Sequence, residues 1–449
     1  MAKKIDLPEP IIPNDSWKIV KLGDYVKILN GYPFDSGRFT NSSENTFPLI
    51  RIRDVVRGYT ETFTDEDCPD EYKIKKDEIL IGMDGDFNIS RWKSDFGLLN
   101  QRVCKIKSAS KDLDENFLYY YLPIPLKQIN DATPSVTVKH LSSNSLLQLH
   151  FPLPLLTEQQ RIVNRIETMF AKLDQAQEKA QTVLDSFETR KAAILHKAFN
   201  GELTANWRKE NEVEKNEELE SIHSFVQSLP KKDITNIVEF QKQASDYILS
   251  DGTLWKKCFI GAIGIVTNGS TPSRKELAFW NGDIPWVSSG EVSNNIIEAT
   301  NECITEEGYN NSSVKKLPIG TVLIAMIGEG KTRGQTSVLN IEATTNQNIA
   351  AIVINHGHVE PKFLWYWLQK EYKNNRTAGN GSGPQALNCQ RVRELPFILP
   401  TLTEQQEIVR ILDSILEKES RAKEAAQTVL DQIALLKKSI LARAFRGEL

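Results

Sequence analysis

The sequence predicts an α+β protein in which two similar domains with curled antiparallel sheets are separated by two long helices that pair as an antiparallel coiled coil. Three observations predict this fold. A 48-residue segment occurs twice, each copy carries apolar residues at alternating steps of three and four, and each is preceded by a segment rich in short β-type runs. A chain of 449 residues, 40% of them apolar, has enough material for two or three cores.

The repeat comprises residues 156–203, which align without a gap to residues 402–449 with identity at 24 of 48 positions. Identity at this level over an ungapped span excludes chance, so the second copy descends from the first or is held to the same task. Neither copy contains an internal proline, which favours one continuous helix in each. A helix of roughly 44 residues would be about 65 Å long.

The ends of each copy carry helix signals. Each copy begins with a threonine followed three residues later by a glutamine, the spacing of a capping box, and closes on a glycine placed to end the helix. These residues are Thr157, Gln160 and Gly201 in the first copy and Thr403, Gln406 and Gly447 in the second. The spacer helices are therefore predicted within residues 156–203 and 402–449.

An apolar seam with the 3.5-residue period of a coiled coil runs along each predicted helix. In the first copy it consists of Ile162, Ile166, Met169, Leu173, Ala176, Ala180, Val183, Phe187, Ile194 and Ala198, and is missing at Lys191. In the second it consists of Ile408, Leu412, Ile415, Ala422, Ala426, Val429, Ile433, Ile440 and Ala444, with Glu419 as its charged interruption. The alternative, two unrelated surface helices, does not explain so sustained a period.

Residues 1–155 and 251–401 are the two predicted globular domains, and the polar, acidic residues 204–250 connect the halves. The domains match loosely: Asn100-Gln101 corresponds to Asn346-Gln347, for example. Predicted strands lie at 47–52, 78–83, 320–327 and 348–354, and predicted helical stretches at 115–121 and 361–371. The same fold is expected twice, with different loops.

Several classes of function find no support in the sequence. The five cysteines are far apart and never form a C-x-x-C pair, which argues against disulfides and zinc. The segment Gly328-Glu-Gly-Lys-Thr332 lacks the first glycine of a phosphate loop, because position 325 is alanine. The adjacent acids of Asp70-Glu71 suit a charged turn better than a metal-dependent nuclease, and no nucleophilic triad suggests itself. No apolar run is long enough to span a membrane, so a cytoplasmic protein is expected.

The domain loops instead offer residue types that bind nucleic acid. Arginine and lysine suit guanine, asparagine and glutamine suit adenine, and hydroxyl groups hold phosphate. In the first domain these candidates are Asn30, Tyr32, Arg51, Arg53, Arg57, Arg91, Lys93, Gln101 and Arg102. In the second domain they are Thr271, Ser273, Arg274, Ser288, Ser289, Lys331, Arg333, Gln335, Asn346, Gln347 and Gln385. The formal net charge of -4 does not decide the question, because much of the acid surplus lies in the connector.

The layout as a whole resembles the specificity subunit of type I restriction-modification systems. The resemblance rests on the Leu-Thr-Glu-Gln-Gln head and Ala-Phe-x-Gly-Glu-Leu tail of each helix and on the second domain's residues 279–290, 320–325 and 345–348. The first domain departs from the family pattern, with Gly31-Tyr-Pro-Phe34 where the second has Gly269-Ser-Thr-Pro272. The resemblance covers nearly the full chain.

The resemblance implies two target-recognition domains that each read one half of a split, asymmetric DNA site, with the helices as a ruler. It also implies double-stranded DNA, two methyltransferase subunits and restriction subunits as partners. S-adenosylmethionine, ATP and magnesium would be used on those partners, with no cofactor or metal on this chain. Two alternatives remain: a coiled-coil scaffold that binds only proteins, and a chain that contributes catalysis itself.

Overall fold

The computed structural model describes residues 17–133, 139–211, 217–229, 246–249, 251–328, 330–354, 357–377 and 387–449. The chain divides into two compact units. Unit 1 comprises residues 1–182 and 425–449, and unit 2 comprises residues 183–424. The five segments expected from the sequence follow the order of the chain, whereas each compact unit combines one globular segment with parts of both long helices.

Among the described residues, unit 1 contains four short helices, eleven strands and parts of the two long helices. The helices are α1 (Ile52–Arg57), α2 (Glu115–Tyr121), α3 (Pro123–Ala132), α4 (Ser143–Leu147) and the first part of α5 (Leu156–Phe199). The strands are β1 (Lys18–Lys21), β2 (Val26–Asn30), β3 (Phe39–Thr40), β4 (Phe47–Ile50), β5 (Phe63–Thr64), β6 (Lys73–Lys75), β7 (Ile79–Gly82), β8 (Ile89–Arg91), β9 (Phe96–Leu99), β10 (Val103–Ser108) and β11 (His150–Leu153).

Unit 2 repeats this plan with the remaining elements among the described residues. Its helices are α6 (Ala205–Glu210), α7 (Glu217–Ser228), α8 (Glu306–Asn310), α9 (Pro361–Lys370), α10 (Tyr372–Thr377), α11 (Cys389–Arg393) and the first part of α12 (Leu402–Ala444). Its strands are β12 (Asp246–Ile248), β13 (Leu254–Phe259), β14 (Gly264–Asn268), β15 (Trp280–Val287), β16 (Asn295–Ile297), β17 (Glu302–Ile304), β18 (Val322–Ala325), β19 (Thr336–Leu339), β20 (Thr344–Thr345), β21 (Ile349–Ile354) and β22 (Pro396–Leu399).

Corresponding sheets show that the two units share one fold. The order β2-β10-β7-β8 in unit 1 matches the order β14-β21-β18-β19 in unit 2, where β16 pairs with β19 as an additional outermost strand. The strand that opens each domain pairs with the strand that precedes the long helix, as β1 with β11 and β13 with β22. The sheets are mainly antiparallel, as predicted. They differ from the prediction in three parallel pairs, β4 with β9, β15 with β20 and β16 with β19. The short β-type runs of the sequence do not indicate the direction in which strands pair.

The end of each long helix completes the core of one unit. Phe445, just beyond α12, is buried in unit 1 with its ring centroid 5.2 Å from that of Phe117. Phe199, the last residue of α5, is fully buried in unit 2 with its ring centroid 5.3 Å from that of Phe363. The phenylalanine of the repeated Ala-Phe-x-Gly-Glu-Leu tail is therefore a core residue in both copies.

The long helices begin one residue before the predicted threonine caps. Helix α5 starts at Leu156 and α12 at Leu402, so Thr157 and Thr403 lie inside the first turn and are not N-caps. At α12 the hydroxyl of Thr401 takes the capping role and accepts a hydrogen bond from the Glu404 amide at 3.4 Å. The predicted N-cap of α12, Thr403, therefore lies two residues after the residue that caps the helix, Thr401.

Gln159 and Gln405, the equivalent glutamines of the two repeated heads, are fully buried. The Gln405 side chain accepts a hydrogen bond from the Glu360 amide at 2.9 Å and donates to the carbonyls of His358 at 3.0 Å and Pro400 at 2.9 Å. Gln159 makes the same three types of contact in unit 1 with Asp114, Asp112 and Pro154. Each glutamine therefore ties the start of a long helix to the loop before α2 or α9.

We expect Gln405→Leu to lower the free energy of unfolding of unit 2 by about 1–3 kcal/mol, because the Glu360 amide and two backbone carbonyls lose their buried hydrogen-bond partner. Urea unfolding of the full chain measures this loss. The matched control is Gln406→Leu at the exposed neighbouring position, which should change stability by less than about 0.5 kcal/mol. Equal effects of the two substitutions would contradict the assignment.

The predicted glycine ends are confirmed. Gly201 and Gly447 have φ values of 75° and 73°, the left-handed conformation that favours glycine. The amide of Glu202 donates to the carbonyl of Lys197 at 3.0 Å, and the amide of Glu448 donates to that of Arg443 at 3.0 Å. This pattern, with the glycine amide bonded one turn back, closes both helices as Schellman motifs.

Within each unit, the parts of α5 and α12 run antiparallel. In unit 1, Arg161 donates to the Leu449 carbonyl at 2.8 Å and Asp174 pairs with Lys437. As the residue number rises along α5, that of its neighbour on α12 falls. In unit 2, Arg190 is 2.8 Å from Glu419, and the ammonium of Lys423 lies 4.5 Å from the ring centroid of Phe187.

The two charged interruptions of the seam, Lys191 and Glu419, both lie in unit 2. Glu419 is paired with Arg190, so the seam carries a half-buried ion pair in unit 2. Such polar contacts in a coiled coil favour one register over others. Lys191 is half-buried, and burial lowers the pKa of its ammonium group.

Most of the predicted seam residues are buried or half-buried, with two departures on α12. Ile162, Ile166, Ile408, Leu412, Ile433 and Ala444 are buried, and Met169, Leu173, Val183, Phe187, Ile194, Ile415 and Ile440 are half-buried. Val429 is 38% exposed and Ala422 is also exposed, whereas Leu430 is half-buried. The steps from Ala426 to Leu430 and Ile433 are four and three, so the stripe runs through Leu430 and the prediction for Val429 was wrong.

Candidate nucleic-acid interface

Three of the predicted polar residues of unit 1 lie at one edge of the sheet β2-β10-β7-β8. Strand β2 ends at Asn30, which pairs with Cys104 near the start of β10. Gln101 and Arg102 immediately precede β10, and the turn of residues 83–88 joins β7 to β8 at the same edge. Asn30 donates a hydrogen bond from Nδ2 to the hydroxyl of Ser143 at 3.1 Å. Antiparallel pairing thus brings distant segments into one polar edge.

The equivalent edge of unit 2 carries different side chains. The Thr271 hydroxyl donates to Oε1 of Gln347 at 2.6 Å, which joins the loop after β14 to the loop before β21. The turn between β18 and β19 contains Lys331, Arg333 and Gln335. The amide of Gln335 donates to the carbonyl of Thr332 at 2.9 Å, which closes the turn.

Helix α10 supports the turn between β18 and β19. The Tyr372 hydroxyl donates to the carbonyl of Lys331 at 2.6 Å, and Arg376 donates to the carbonyl of Arg333 at 3.2 Å. These contacts use backbone atoms of the turn, so they hold it without occupying the Lys331 and Arg333 side chains. Nε of Arg333 is buried with no hydrogen-bond partner among the described residues. A buried unpaired donor is costly, and a bound acceptor would relieve the cost.

Two glycines permit a close backbone crossing at these edges. A Cβ added to Gly31 would lie 1.9 Å from the carbonyl oxygen of Asn100, and one added to Gly269 would lie 1.8 Å from that of Thr345. Any side chain would separate the two segments that form the edge. The glycine shared by the two halves is therefore required by geometry.

The paired Asn-Gln residues have distinct roles in each unit. Asn100 and Asn346 are buried, and their Oδ1 atoms accept hydrogen bonds from the amides of Gln101 at 2.8 Å and Asn348 at 3.0 Å. Gln101 and Gln347 are exposed. The structure thus makes Asn346, a predicted reader of bases, a buried support of the turn, while the glutamines remain accessible.

Several other predicted residues have structural partners within their own unit. Arg91 donates to the carbonyl of Asp77 and to Oδ1 of Asn116, both at 2.6 Å. Arg274 pairs with Glu302, and its guanidinium lies 3.7 Å from the ring centroid of Trp280. The Ser288 hydroxyl is 3.0 Å from Oε1 of Glu291. Each of these three residues therefore has a structural role within its own unit.

The remaining predicted residues lie elsewhere on the two units. Arg51 is the residue before α1, and Arg53 in the first turn donates to the Thr62 hydroxyl at 2.9 Å. Lys93 packs beside Gly58. Tyr32 is half-buried, with its ring centroid 5.0 Å from that of Phe34. Arg57 and Ser273 are exposed, and Ser289 is half-buried. Gln385 lies outside the described residues.

The described residues offer no built metal site, and two of the cysteines are deeply buried. No group of three or more histidine, cysteine, aspartate or glutamate side chains among them could hold a metal ion. Burial raises the pKa values of Cys104 and Cys258 to about 12, so both thiols stay protonated. Asp70 pairs with Lys73 at 2.9 Å, which makes the Asp70-Glu71 segment a charged turn. None of the helices among the described residues has the length and hydropathy of a membrane-spanning segment.

Residues that sequence reasoning missed stand at both edges. Two of them, Asp84 and His140, lie in unit 1, where Oδ1 of Asp84 is 2.6 Å from Nδ1 of His140. The third, Arg376, lies in unit 2. His140 and Arg376 are distant in sequence from the turns they contact, so no local pattern signals them. Asp84 had a signal: the alignment of the two halves places it opposite Ile327, a charged-to-apolar change within a shared turn.

The fold and these edges define a class of protein with two similar domains, each with its own polar loops, and two long helices that contribute to both domains. The family model described as "Type I restriction modification DNA specificity domain" matches residues 14–184 and 253–428. The chain belongs to this type I restriction-modification DNA specificity family. Its role is that of a DNA-recognition subunit.

Known relatives cover nearly the whole chain. The type I restriction enzyme EcoBI specificity subunit of Escherichia coli is 30% identical over 442 residues, which are 97% of this chain and 87% of the relative. The MjaVIII specificity subunit of Methanocaldococcus jannaschii is 20% identical over 98% of this chain and 94% of its own length.

Solved structures show the same fold. The HsdS subunit from Thermoanaerobacter tengcongensis superposes with a TM-score of 0.52 at 17% identity, over 97% of this chain and 98% of that subunit. A chain from a structure on complex assembly and conformational transition of the type I R-M system superposes with a TM-score of 0.65 at 18% identity, over 99% of this chain and all of that one.

Proposed function

We propose that each unit reads one half of a bipartite, asymmetric DNA sequence and that α5 and α12 set the gap between the half-sites. The observation that carries the proposal is that one sheet edge recurs in both units with different side chains. Arg102 in unit 1 corresponds to Asn348 in unit 2, whereas Gln101 and Gln347 occupy the same position. The turn of residues 83–88 in unit 1 corresponds to the turn that contains Lys331, Arg333 and Gln335 in unit 2. One scaffold with two sets of polar groups suits two different half-sites.

The continuity of the helices supports their role as a ruler. Helices α5 and α12 have 44 and 43 residues, and each contributes to both units. Each unit also buries one end of both helices in its core, so neither domain rotates independently of the helix ends. A DNA molecule with the wrong gap would then satisfy only one interface and lose the binding energy of the other.

Catalysis is assigned to partner chains in this proposal. The chain recruits two DNA adenine methyltransferase subunits, which use S-adenosylmethionine, and restriction subunits, which use ATP and magnesium. The two specificity-subunit relatives support a non-catalytic role. The exposed parts of the repeated helix heads and tails are candidate docking sites. Gln159, Gln405, Phe199 and Phe445 are not, because they are buried.

The Arg333→Ala, Gln335→Ala double variant tests the division of labour between the units. We expect it to relax base preference within the half-site of unit 2 alone, by roughly 1–3 kcal/mol per lost bidentate contact. The measurement is selection of randomised duplex DNA by the complex purified from its host through a tag on this chain. Lys256→Ala, a half-buried lysine on β13, is the control for loss of charge in unit 2.

Three outcomes of this selection differ in meaning. Relaxation confined to one half-site supports the proposal. Equal relaxation of both half-sites would contradict the assignment of one half-site to each unit. Failure of the unaltered complex to select any sequence, at any salt concentration, would favour a protein-binding scaffold over a DNA reader.

A further inference from the structure

We propose that Arg102 reads a guanine in the half-site of unit 1 and that Asp84 is the residue that positions it. The proposal rests on the proposed function, because it requires the edge of unit 1 to face DNA. It adds to the proposed function the identity of one base and the carboxylate that positions the arginine reading it. It also predicts an asymmetry between the two units.

Asp84 stands in a turn fixed by backbone hydrogen bonds on both sides. The Met83 amide donates to the carbonyl of Arg102 at 2.9 Å, and the Leu141 amide donates to the carbonyl of Met83 at 2.7 Å. The Gly85 amide donates to the carbonyl of Lys139 at 3.0 Å, and Gly85 has a φ of 76°. The carboxylate therefore projects from a backbone that has little freedom to move.

The side chains of Arg102 and His140 both contact the Asp84 carboxylate. Nε of Arg102 is 3.6 Å from one Asp84 oxygen, and Nδ1 of His140 is 2.6 Å from the other. The Asp84 side chain is 17% exposed, whereas the Arg102 side chain is 54% exposed. The carboxylate is thus largely withdrawn from water while the guanidinium extends beyond it.

This geometry leaves the two terminal nitrogens of the Arg102 guanidinium available to a base, because the contact with Asp84 is made through Nε. An arginine oriented through Nε directs its two terminal nitrogens away from the carboxylate as a planar fork. Such a fork matches the O6 and N7 acceptors of guanine in the major groove, and arginine is the side chain most often used for that contact. The ion pair with Asp84 at 3.6 Å favours this orientation of Arg102, which reduces the conformational entropy lost on binding. A phosphate contact would not need this alignment.

Unit 2 lacks the arrangement at the equivalent positions. Its Met326 amide donates to the carbonyl of Asn348 at 2.9 Å, and the Leu387 amide donates to the carbonyl of Met326 at 3.0 Å. These bonds match those of Met83 in unit 1, so Asn348 stands where Arg102 does, and Ile327 stands where Asp84 does. The guanine contact is therefore specific to the half-site of unit 1.

Three variants test the inference, each in the full chain within the complex purified from its host, with randomised duplex DNA as the probe. Arg102→Ala should lower discrimination roughly 5- to 150-fold at one guanine-containing base pair of one half-site. Arg102→Lys keeps the charge but loses the fork, so it should relax the same base pair with little loss of overall affinity. Asp84→Asn should relax that base pair to a smaller extent.

Lys107→Ala is the matched control, because Lys107 is an exposed lysine at the opposite end of β10. It should leave the preference at every position unchanged. Uniform weakening by Arg102→Ala across all sequences, with a smaller salt dependence, would show a phosphate contact and overturn the inference. No change at the base pair in Arg102→Lys and Asp84→Asn would also overturn it. Loss of sequence selection in the unaltered complex would instead refute the proposed function.

Discussion

Insertion of three heptads into both long helices is expected to lengthen the required gap between the half-sites by about nine base pairs and to leave both half-sites unchanged. Twenty-one added residues extend a helix by about 31 Å. This is close to the 34–36 Å of one turn of B-DNA, roughly 10 base pairs, so both half-sites again face the same side. Whole heptads keep the apolar seam on the same face of each helix.

The insertion points follow from the contacts within unit 2. Because Lys423 lies over Phe187, a segment placed between Ser186 and Phe187 faces one placed between Lys423 and Glu424. The measurement is the methylated motif in cells that carry the variant as their only copy. An unchanged gap would contradict the ruler role of the helices.

Two shorter designs serve as controls for this insertion. One heptad in both helices adds about 10 Å, or roughly three base pairs, and the DNA then turns the second half-site by nearly a third of a revolution. Recognition should be lost at every gap although the protein folds. Three heptads in α5 alone would force its partner out of register and should prevent folding. These results would separate spacing from stability.

Glu404→Ala is expected to destabilise unit 2 by about 3–5 kcal/mol, because it breaks a buried ion pair and leaves the Trp255 indole without its acceptor. Arg208 then keeps only the partly exposed Asp251 as a counter-charge. Glu404 is 3% exposed and accepts hydrogen bonds from Arg208 at 2.6 Å, Thr204 at 2.8 Å and the Trp255 indole at 3.0 Å. Arg208 is 8% exposed. The start of the connector is thereby locked to the head of α12.

The repeat provides the matched control for Glu404. Glu158 occupies the same position of the first copy, but its side chain is 34% exposed and pairs with Arg161 of the same helix. Glu158→Ala should cost less than about 0.5 kcal/mol, as expected for an exposed pair. Urea unfolding of the two variants measures the difference. Equal losses would contradict the account of Glu404 as a buried charge centre.

The same ion-pair cluster predicts a dependence of stability on pH. Burial alone would raise the pKa of Asp251, but hydrogen bonds from Arg208 and Thr253 outweigh it and lower that pKa to about 2. An unpaired aspartate has a pKa of about 3.9. The stabilisation is therefore complete above that value and is lost as the pH falls toward 2. Asp251→Asn should reduce the acid sensitivity of unit 2 in this window.

Local and periodic features were predictable from the sequence. The glycine ends of α5 and α12 and the span of α2 depend on neighbouring residues, and the structure has them as predicted. The duplicated fold followed from the repeat itself. Val429 was wrongly predicted to be a seam residue. The prediction assumed one unbroken alternation of three and four residues, whereas the half-buried position in the structure is the next residue, Leu430.

Long-range contacts were not predictable from the sequence. The buried role of Gln405 depends on Glu360, which is 45 residues away, and that of Glu404 on Arg208, which is 196 residues away. At the candidate interface, Asn346 has the residue type of a base reader, but its burial gives it a structural role. Residue type alone cannot separate a reader from a support, because that distinction depends on which atoms the fold leaves exposed.

Genome-wide mapping of N6-methyladenine in the host, with and without this gene, tests the central claim most directly. The account predicts one motif with two specified half-sites of different sequence, separated by a fixed number of unspecified base pairs, that disappears when the gene is deleted. A contiguous motif, or a bipartite motif that persists without the gene, would contradict it.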